Sequence, residues 1–205
     1  MTRTIDFPRE LPKTDQPQLE GWFMDSDVYK KDTWSVTEKL NGLSCTFYLN
    51  EDGEFHVCSQ NRRLKDDNKN SFWALARKFK VEDIMRRNSM KGMAILGEMI
   101  GANVQGNQYC VKLDFYVYNM YNVCTEKYLL PVQLKAACKR LNLKHVPFLS
   151  ENTTLDEKTV QDVLDFAEGK SMINGSDREG VVFFSNSKEN ISFKVVSNSW
   201  LIENE

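Results

Sequence analysis

The sequence predicts an α+β fold, in which short strands come in clusters and a few helices are interleaved among them. Two observations carry that class. Runs rich in Val, Thr, Phe and Tyr recur beside turn pairs such as Asn41-Gly42 and Asp52-Gly53. Between them lie a few stretches with helical features, and no self-similar period marks a repeat architecture. At 205 residues, 41% hydrophobic and 27% charged, the chain has the composition of a globular protein able to bury a sizeable core.

The elements follow in order. Residues 1–33, rich in Pro, Asp, Lys and Gln, read as an irregular lead-in packing on the domain. Residues 34–205 read as a single domain with no linker to split it. A strand signal begins at Trp34 and covers Ser35 to Lys39. Leu43 to Leu49 follows, then the turn at Asp52-Gly53, then Glu54 to Ser59, which makes a meander. "NSFWALARKFKVEDIMRR" places Phe72, Leu75, Ala76 and Phe79 at helical spacing, with a break near Lys80. Met93 to Ile100 and Val111 to Val123 are apolar and strand-like, the second carrying Phe115, Tyr116, Tyr118 and Tyr121. Pro131 opens the helix "PVQLKAACKRL", since proline fits an early helical position. Leu155 or Asp156 is expected to cap a further helix through "DEKTVQDVLDFAEGK". Gly180 to Phe184 and Ile191 to Val196 read as the last strands.

Charge narrows the partners. A net charge of -2 and a pI near 5.8 exclude a polycation, so any nucleic acid must be met by a local basic patch. "NRRLKDDNKN" and "ARKFK" are two such patches, and each also reads as an ordinary solvated face. The N-terminus has no apolar leader and no run is long enough to span a membrane. Five widely spaced cysteines without a C-x-x-C pair, and two histidines, argue against a zinc site or disulfide framework. An intracellular protein, cytoplasmic or nuclear, in a reducing compartment is expected.

Familiar catalytic motifs are missing: no G-x-x-x-x-G-K-[ST] loop, no G-x-S-x-G elbow, no H-E-x-x-H helix. What stands out is charge embedded in apolar strands. Lys39 ends one strand, Glu98 lies inside "AILGEMIG", Glu179 precedes "GVVFF" and Lys194 sits within "ISFKVV". Any one of them could simply face solvent on an alternating strand. Brought together at one face of a sheet, the four would supply a nucleophilic amine and carboxylates able to hold a divalent cation.

"EKLNG", Glu38 to Gly42, resembles motif I (K-x-x-G) of the covalent nucleotidyltransferase superfamily, which contains the ATP-dependent DNA and RNA ligases and the messenger-RNA capping enzymes. The other motifs follow in the family's order: "CSQNRRL" from Cys58, "LGEMIG" from Leu96, "FYVYNMY" from Phe115, "REGVVF" from Arg178 and "SFKVVSNSWL" from Ser192. Within the superfamily the chain is most similar to the Deinococcus-type RNA ligases, on "FPRELPKTDQPQ", "GEMIGANVQGNQY" and "FKVVSNSWL". The resemblance runs from about Phe7 onward.

It implies a ligase-type, ATP-grasp-like nucleotidyltransferase domain of antiparallel sheets flanked by helices, with the nucleotide bound between them. The implied reaction takes AMP from ATP onto Lys39, passes it to a 5'-phosphate end, and seals that end to a 3'-hydroxyl of RNA or an RNA-containing strand. Free lysine titrates near ~10.4, so only about one part in a thousand is nucleophilic near neutral pH; a nearby cation favours the neutral amine. Lys194 and a bound Mg2+ or Mn2+ would supply that field. By the resemblance Glu179 and Glu98 hold the metal or its waters, with Glu98 alternatively on the ribose. Tyr118, or Tyr116 in second place, stacks on the purine; Glu38, Leu40, Asn41 and Gly42 border the nucleotide; Asn61, Arg62 and Arg63 meet phosphate or nucleic acid.

Asn41 stands where this branch commonly has Asp, Gln60 where it usually has Arg, and Lys194 is the single clear lysine of a motif that often has two. The chain is expected to be a monomer without an additional oligonucleotide-binding domain, and another domain or partner would then grip the RNA. Two other readings stay open: a capping-type guanylyltransferase, and a ligase-like module that binds nucleotide or nucleic acid without turnover.

Overall fold

The computed structural model describes residues 5–19, 27–67, 69–102, 104–105 and 108–204. The chain divides into two compact units: Met1–Thr14 with Gly42–Leu129 and Leu134–His145, and Asp15–Asn41 with Leu130–Gln133 and Val146–Glu205. Each unit is built on its own sheet, and the ladders of both sheets are antiparallel.

The first unit holds seven strands: β1 (Ile5–Asp6), β3 (Leu43–Leu49), β4 (Phe55–Ser59), β5 (Arg62–Leu64), β6 (Met93–Ile100), β7 (Asp114–Asn122) and β8 (Lys127–Tyr128). Their order across the sheet is β1-β5-β4-β3-β6-β7-β8. Side chains alternate between the two faces. Cys45, Phe47 and Leu49 of β3 and Ile95 and Met99 of β6 bury one face against Leu75, Ala76, Val81, Met85, Leu134 and Cys138 from the helices. The other face carries Tyr48, Ala94, Leu96 and Tyr121, with Leu11 packed on them.

The break expected near Lys80 is present. Ser71–Lys78 and Val81–Arg87 are separate helices, and Lys80 between them adopts the left-handed conformation, φ 51°. Asn70 caps the first of them through its side chain, which accepts from the N–H groups of Phe72 (2.9 Å) and Trp73 (3.4 Å).

The second unit has the order β11 (Ser192–Val196), β10 (Gly180–Ser185), β2 (Thr33–Lys39), β9 (Phe148–Thr154). Trp34, Val36, Val181, Phe183, Phe193 and Val195 share one face and close on Val163 and Ala167 of the helix Val160–Ala167. Phe183 stacks on Phe193 at 4.7 Å, and Trp34 meets Phe193 edge-on at 5.2 Å. That aromatic cluster forms part of this core.

Two expectations change. The helix beginning at Val160 is capped by Thr159, in a capping box with Asp162, and not by Leu155 or Asp156. Glu98 lies on the seven-stranded sheet while Lys39 and Lys194 lie on the four-stranded one, so the four charged residues do not share one sheet face. Among the described residues no helix is long and apolar enough to cross a membrane.

Candidate active site

Lys39 is the last residue of β2 and is in register with Gly180, the first of β10. Gly180 has to be glycine: a Cβ there would stand 2.1 Å from the Val195 carbonyl oxygen. The close approach of β11 brings Glu179, one residue earlier, to the end of β2. The Glu179 carbonyl accepts from the Ser197 N–H at 2.9 Å, and its carboxylate pairs with the Lys39 ammonium through Oε1. The second oxygen, Oε2, is buried with no hydrogen-bond partner. A buried orphan acceptor on a carboxylate carries a desolvation cost that a bound cation or donor would relieve.

Arg178 holds this corner in place. Its guanidinium donates to the carbonyls of Ala167 (3.0 Å), Phe166 (2.7 Å) and Glu168, which are the open end of the helix Val160–Ala167. The sequence pattern quotes Arg178 but does not reveal this role, because its partners lie ten to twelve residues upstream in a helix end.

Lys194 shares a sheet face with Lys39. The cross-strand rows are Thr37–Val182–Lys194 and Lys39–Gly180–Val196, and the intervening Val36, Val181 and Val195 face the opposite, aromatic core. The Lys194 side chain is 15% exposed, and its ammonium pairs with Asp15 at 2.6 Å. Glu38, adjacent to Lys39, alternates to the core side and is 1% exposed. Its Oε2 accepts from the Met172 N–H at 2.8 Å, while Oε1 has no partner. Burial pushes the Glu38 carboxyl up, partly opposed by hydrogen bonds from Ser171 and Met172 and by the Arg178 charge. Leu40 is buried.

In the first unit, a Cβ on Gly42 would lie 2.4 Å from the Met99 carbonyl oxygen, so only glycine lets the chain enter β3 this close to β6. The space beside the Gly42 Cα is taken up on this side by β6. Ser44 is in register with Glu98, and Glu98 with Tyr116. A β-bulge then interrupts β7: Gly97 pairs with Val117 and Leu96 with Asn119, leaving Tyr118 as the extra residue. Alternation from Tyr116 puts Tyr118 on the face shared by Ser44 and Glu98, and the bulge shifts the phase of the strand from Asn119 onward. The Tyr118 hydroxyl lies 3.0 Å from the Ser44 hydroxyl, which donates to Thr14 at 3.1 Å. Burial and the Glu98 charge drive the Tyr118 phenol well above its ordinary range, so it stays neutral. Neither the bulge nor the Ser44 and Thr14 contacts has a signal in the sequence.

Asn61 occupies the β4–β5 turn, and Asn61 and Arg62 are exposed. Arg63 is partly covered and lies 3.4 Å from His56 Nδ1; burial and then the Arg63 charge hold the His56 imidazole below its ordinary range. Among the described residues no group of three or more His, Cys, Asp or Glu side chains gathers to hold a metal.

An amine at a strand end, gripped by a carboxylate with an oxygen to spare, sets a potential nucleophile beside a group able to take a cation. The chain belongs to the RNA ligase family, whose model matches residues 32–196. Among solved structures it is similar to an apo variant of Naegleria gruberi RNA ligase, at 32% identity and TM-score 0.90, covering 99% of this chain and 60% of that one. Variants of the same ligase with ATP and Mn and with AMP and Mn match at 31% identity and TM-score 0.90, each covering 98% of this chain and 60% of that one. This chain thus spans about 60% of the length of those relatives. A search of curated proteins returned no match.

Proposed function

We propose that this chain is the nucleotidyltransferase part of an ATP-dependent RNA ligase of the Deinococcus-type branch, with residues 34–205 as the catalytic domain. The observation that carries the reading is the Lys39–Glu179 pair with its unpartnered buried Glu179 Oε2. Support comes from the family match and from the solved complexes of the Naegleria ligase with ATP or AMP and Mn.

Lys39 is the nucleophile. Its amine forms a bond to the α-phosphorus of ATP as the bond to pyrophosphate breaks, and its surplus proton leaves to solvent, which reaches the side chain at 23% exposure. Glu179 Oε1 orients the amine, and Lys194 on the same sheet face faces the phosphates with a fixed positive charge. A Mg2+ or Mn2+ ion would be held through Glu179 Oε2 and would supply charge to stabilise the leaving pyrophosphate.

Glu38, Leu40, Asn41 and Gly42 are assigned to the border of the nucleotide, Glu38 through its place beside Lys39 and not through its carboxylate, which turns to the core side. In the first unit, Glu98 is assigned to the ribose or the metal and Tyr118 to the purine ring. Asn61, Arg62 and Arg63 are assigned to the RNA phosphates. AMP then passes from Lys39 to a 5'-phosphate end, and a 3'-hydroxyl displaces it to join the strands.

Intact-mass measurement after incubation with ATP or GTP and Mg2+ or Mn2+ tests the assignment. The expected result is an added AMP from ATP and no adduct from GTP. A GMP adduct would instead establish the capping-type reaction. No adduct with either nucleotide, after pyrophosphate treatment to strip bound AMP, would leave a binding module.

A further inference from the structure

Lys194 is tied to a segment far upstream in sequence. Its N–H donates to the Pro17 carbonyl (2.9 Å) and its carbonyl accepts from the Leu19 N–H (3.1 Å), so residues 15–19 run beside β11, the outermost strand of the four-stranded sheet. The Lys194 backbone is therefore fixed at both of its hydrogen-bonding groups. Its side chain is held differently. The side chain is 15% exposed and its ammonium pairs with Asp15 at 2.6 Å, whereas the Asp15 side chain is 63% exposed. A largely covered cation is thus reached past an exposed carboxylate on a separately anchored segment.

We propose that Asp15 is a competing counter-ion: it occupies Lys194 in the absence of nucleotide and gives the ammonium up to the incoming phosphates. The inference rests on the ligase reading, in which Lys194 faces the phosphates of ATP. The Lys194 side chain is only 15% exposed, so incoming phosphate and the Asp15 carboxylate compete for the same opening, and binding of nucleotide includes the breaking of the Asp15 pair. Asp15 is then a positioning residue that sets nucleotide affinity without touching the reacting atoms. The backbone bonds of Pro17 and Leu19 keep the segment docked while the side chains exchange.

The test is calorimetric binding of the non-hydrolysable analogue α,β-methylene ATP, with Mg2+, to the wild-type chain, Asp15→Asn, Asp15→Glu, Lys194→Met and the Asp15→Asn/Lys194→Met double variant. Asp15→Asn is expected to tighten binding roughly two- to fivefold, the size of a partly exposed ion pair, and Asp15→Glu to keep the wild-type affinity. In the Lys194→Met background Asp15→Asn should change nothing. Unchanged or weaker binding by Asp15→Asn, or a gain that persists without Lys194, would overturn the proposal. Because the analogue cannot transfer AMP, this outcome is independent of chemistry. The expected pattern without any lysyl-AMP from ATP would reject the ligase reading and leave the Asp15 switch. Absence of binding to every form would reject both.

Discussion

Each candidate catalytic side chain is set by one tight contact in its neighbourhood. For Lys39 that contact is the approach of β10 to β11 at Gly180, where a methyl group would collide with a backbone oxygen at 2.1 Å. Backbone cannot yield as a flexible side chain can, so Gly180→Ala should cost about 1–3 kcal/mol of stability in urea denaturation. It should also move Glu179 off the Lys39 amine; an unchanged denaturation midpoint would contradict that packing. Glu38 gives a pH signature. Its folded-state carboxyl is raised by burial above the ordinary 4.5, so its contribution to stability is fully present below 4.5 and is lost as pH rises through the folded value. Glu38→Gln, neutral at every pH, should therefore gain on the wild type between pH 4 and pH 8 in thermal melting. A difference that stays flat or falls over that range would mean that the carboxyl is not raised.

Among the elements, the helix Val160–Ala167 is tied to the site through Arg178. Replacing that arginine by methionine removes donors from three carbonyls at the helix end and should lower stability by about 1.5–3 kcal/mol, since hydrogen bonds to charged groups exceed neutral ones. Urea denaturation measures this, and a loss below 0.5 kcal/mol, the scale of an ordinary surface change, would show that the cap does not matter. Elements were legible where they were long and patterned. Leu43 to Leu49 and Met93 to Ile100 match their strands to the residue, and Pro131 opens its helix as expected. Strands of two or three residues, Ile5–Asp6, Arg62–Leu64 and Lys127–Tyr128, are too short to show alternation. Phe148–Thr154 is strand by virtue of pairing with β2, its own residues being mostly polar. The signal for Thr159 as a cap, threonine followed three residues on by an acid, is present in the sequence.

For the whole molecule, the order of motifs along the chain identified the family, while the arrangement of residues in space came only from the fold. Lys39 and Lys194 lie on one sheet face. Glu98 belongs to the other sheet, which embedded charge alone could not reveal because strand membership depends on pairing partners tens of residues away. The Lys194–Asp15 pair spans 179 residues and likewise leaves no local trace. A net charge of -2 leaves any contact with nucleic acid to local cations rather than to the bulk field.

The central claim is that Lys39 becomes covalently linked to AMP. The protein, first treated with pyrophosphate, is incubated with α-labelled ATP and Mg2+ or Mn2+ and denatured, alongside Lys39→Ala. Label retained on the wild type and lost in Lys39→Ala is the predicted result. Label that persists in Lys39→Ala, or a folded wild type that takes none, would contradict it.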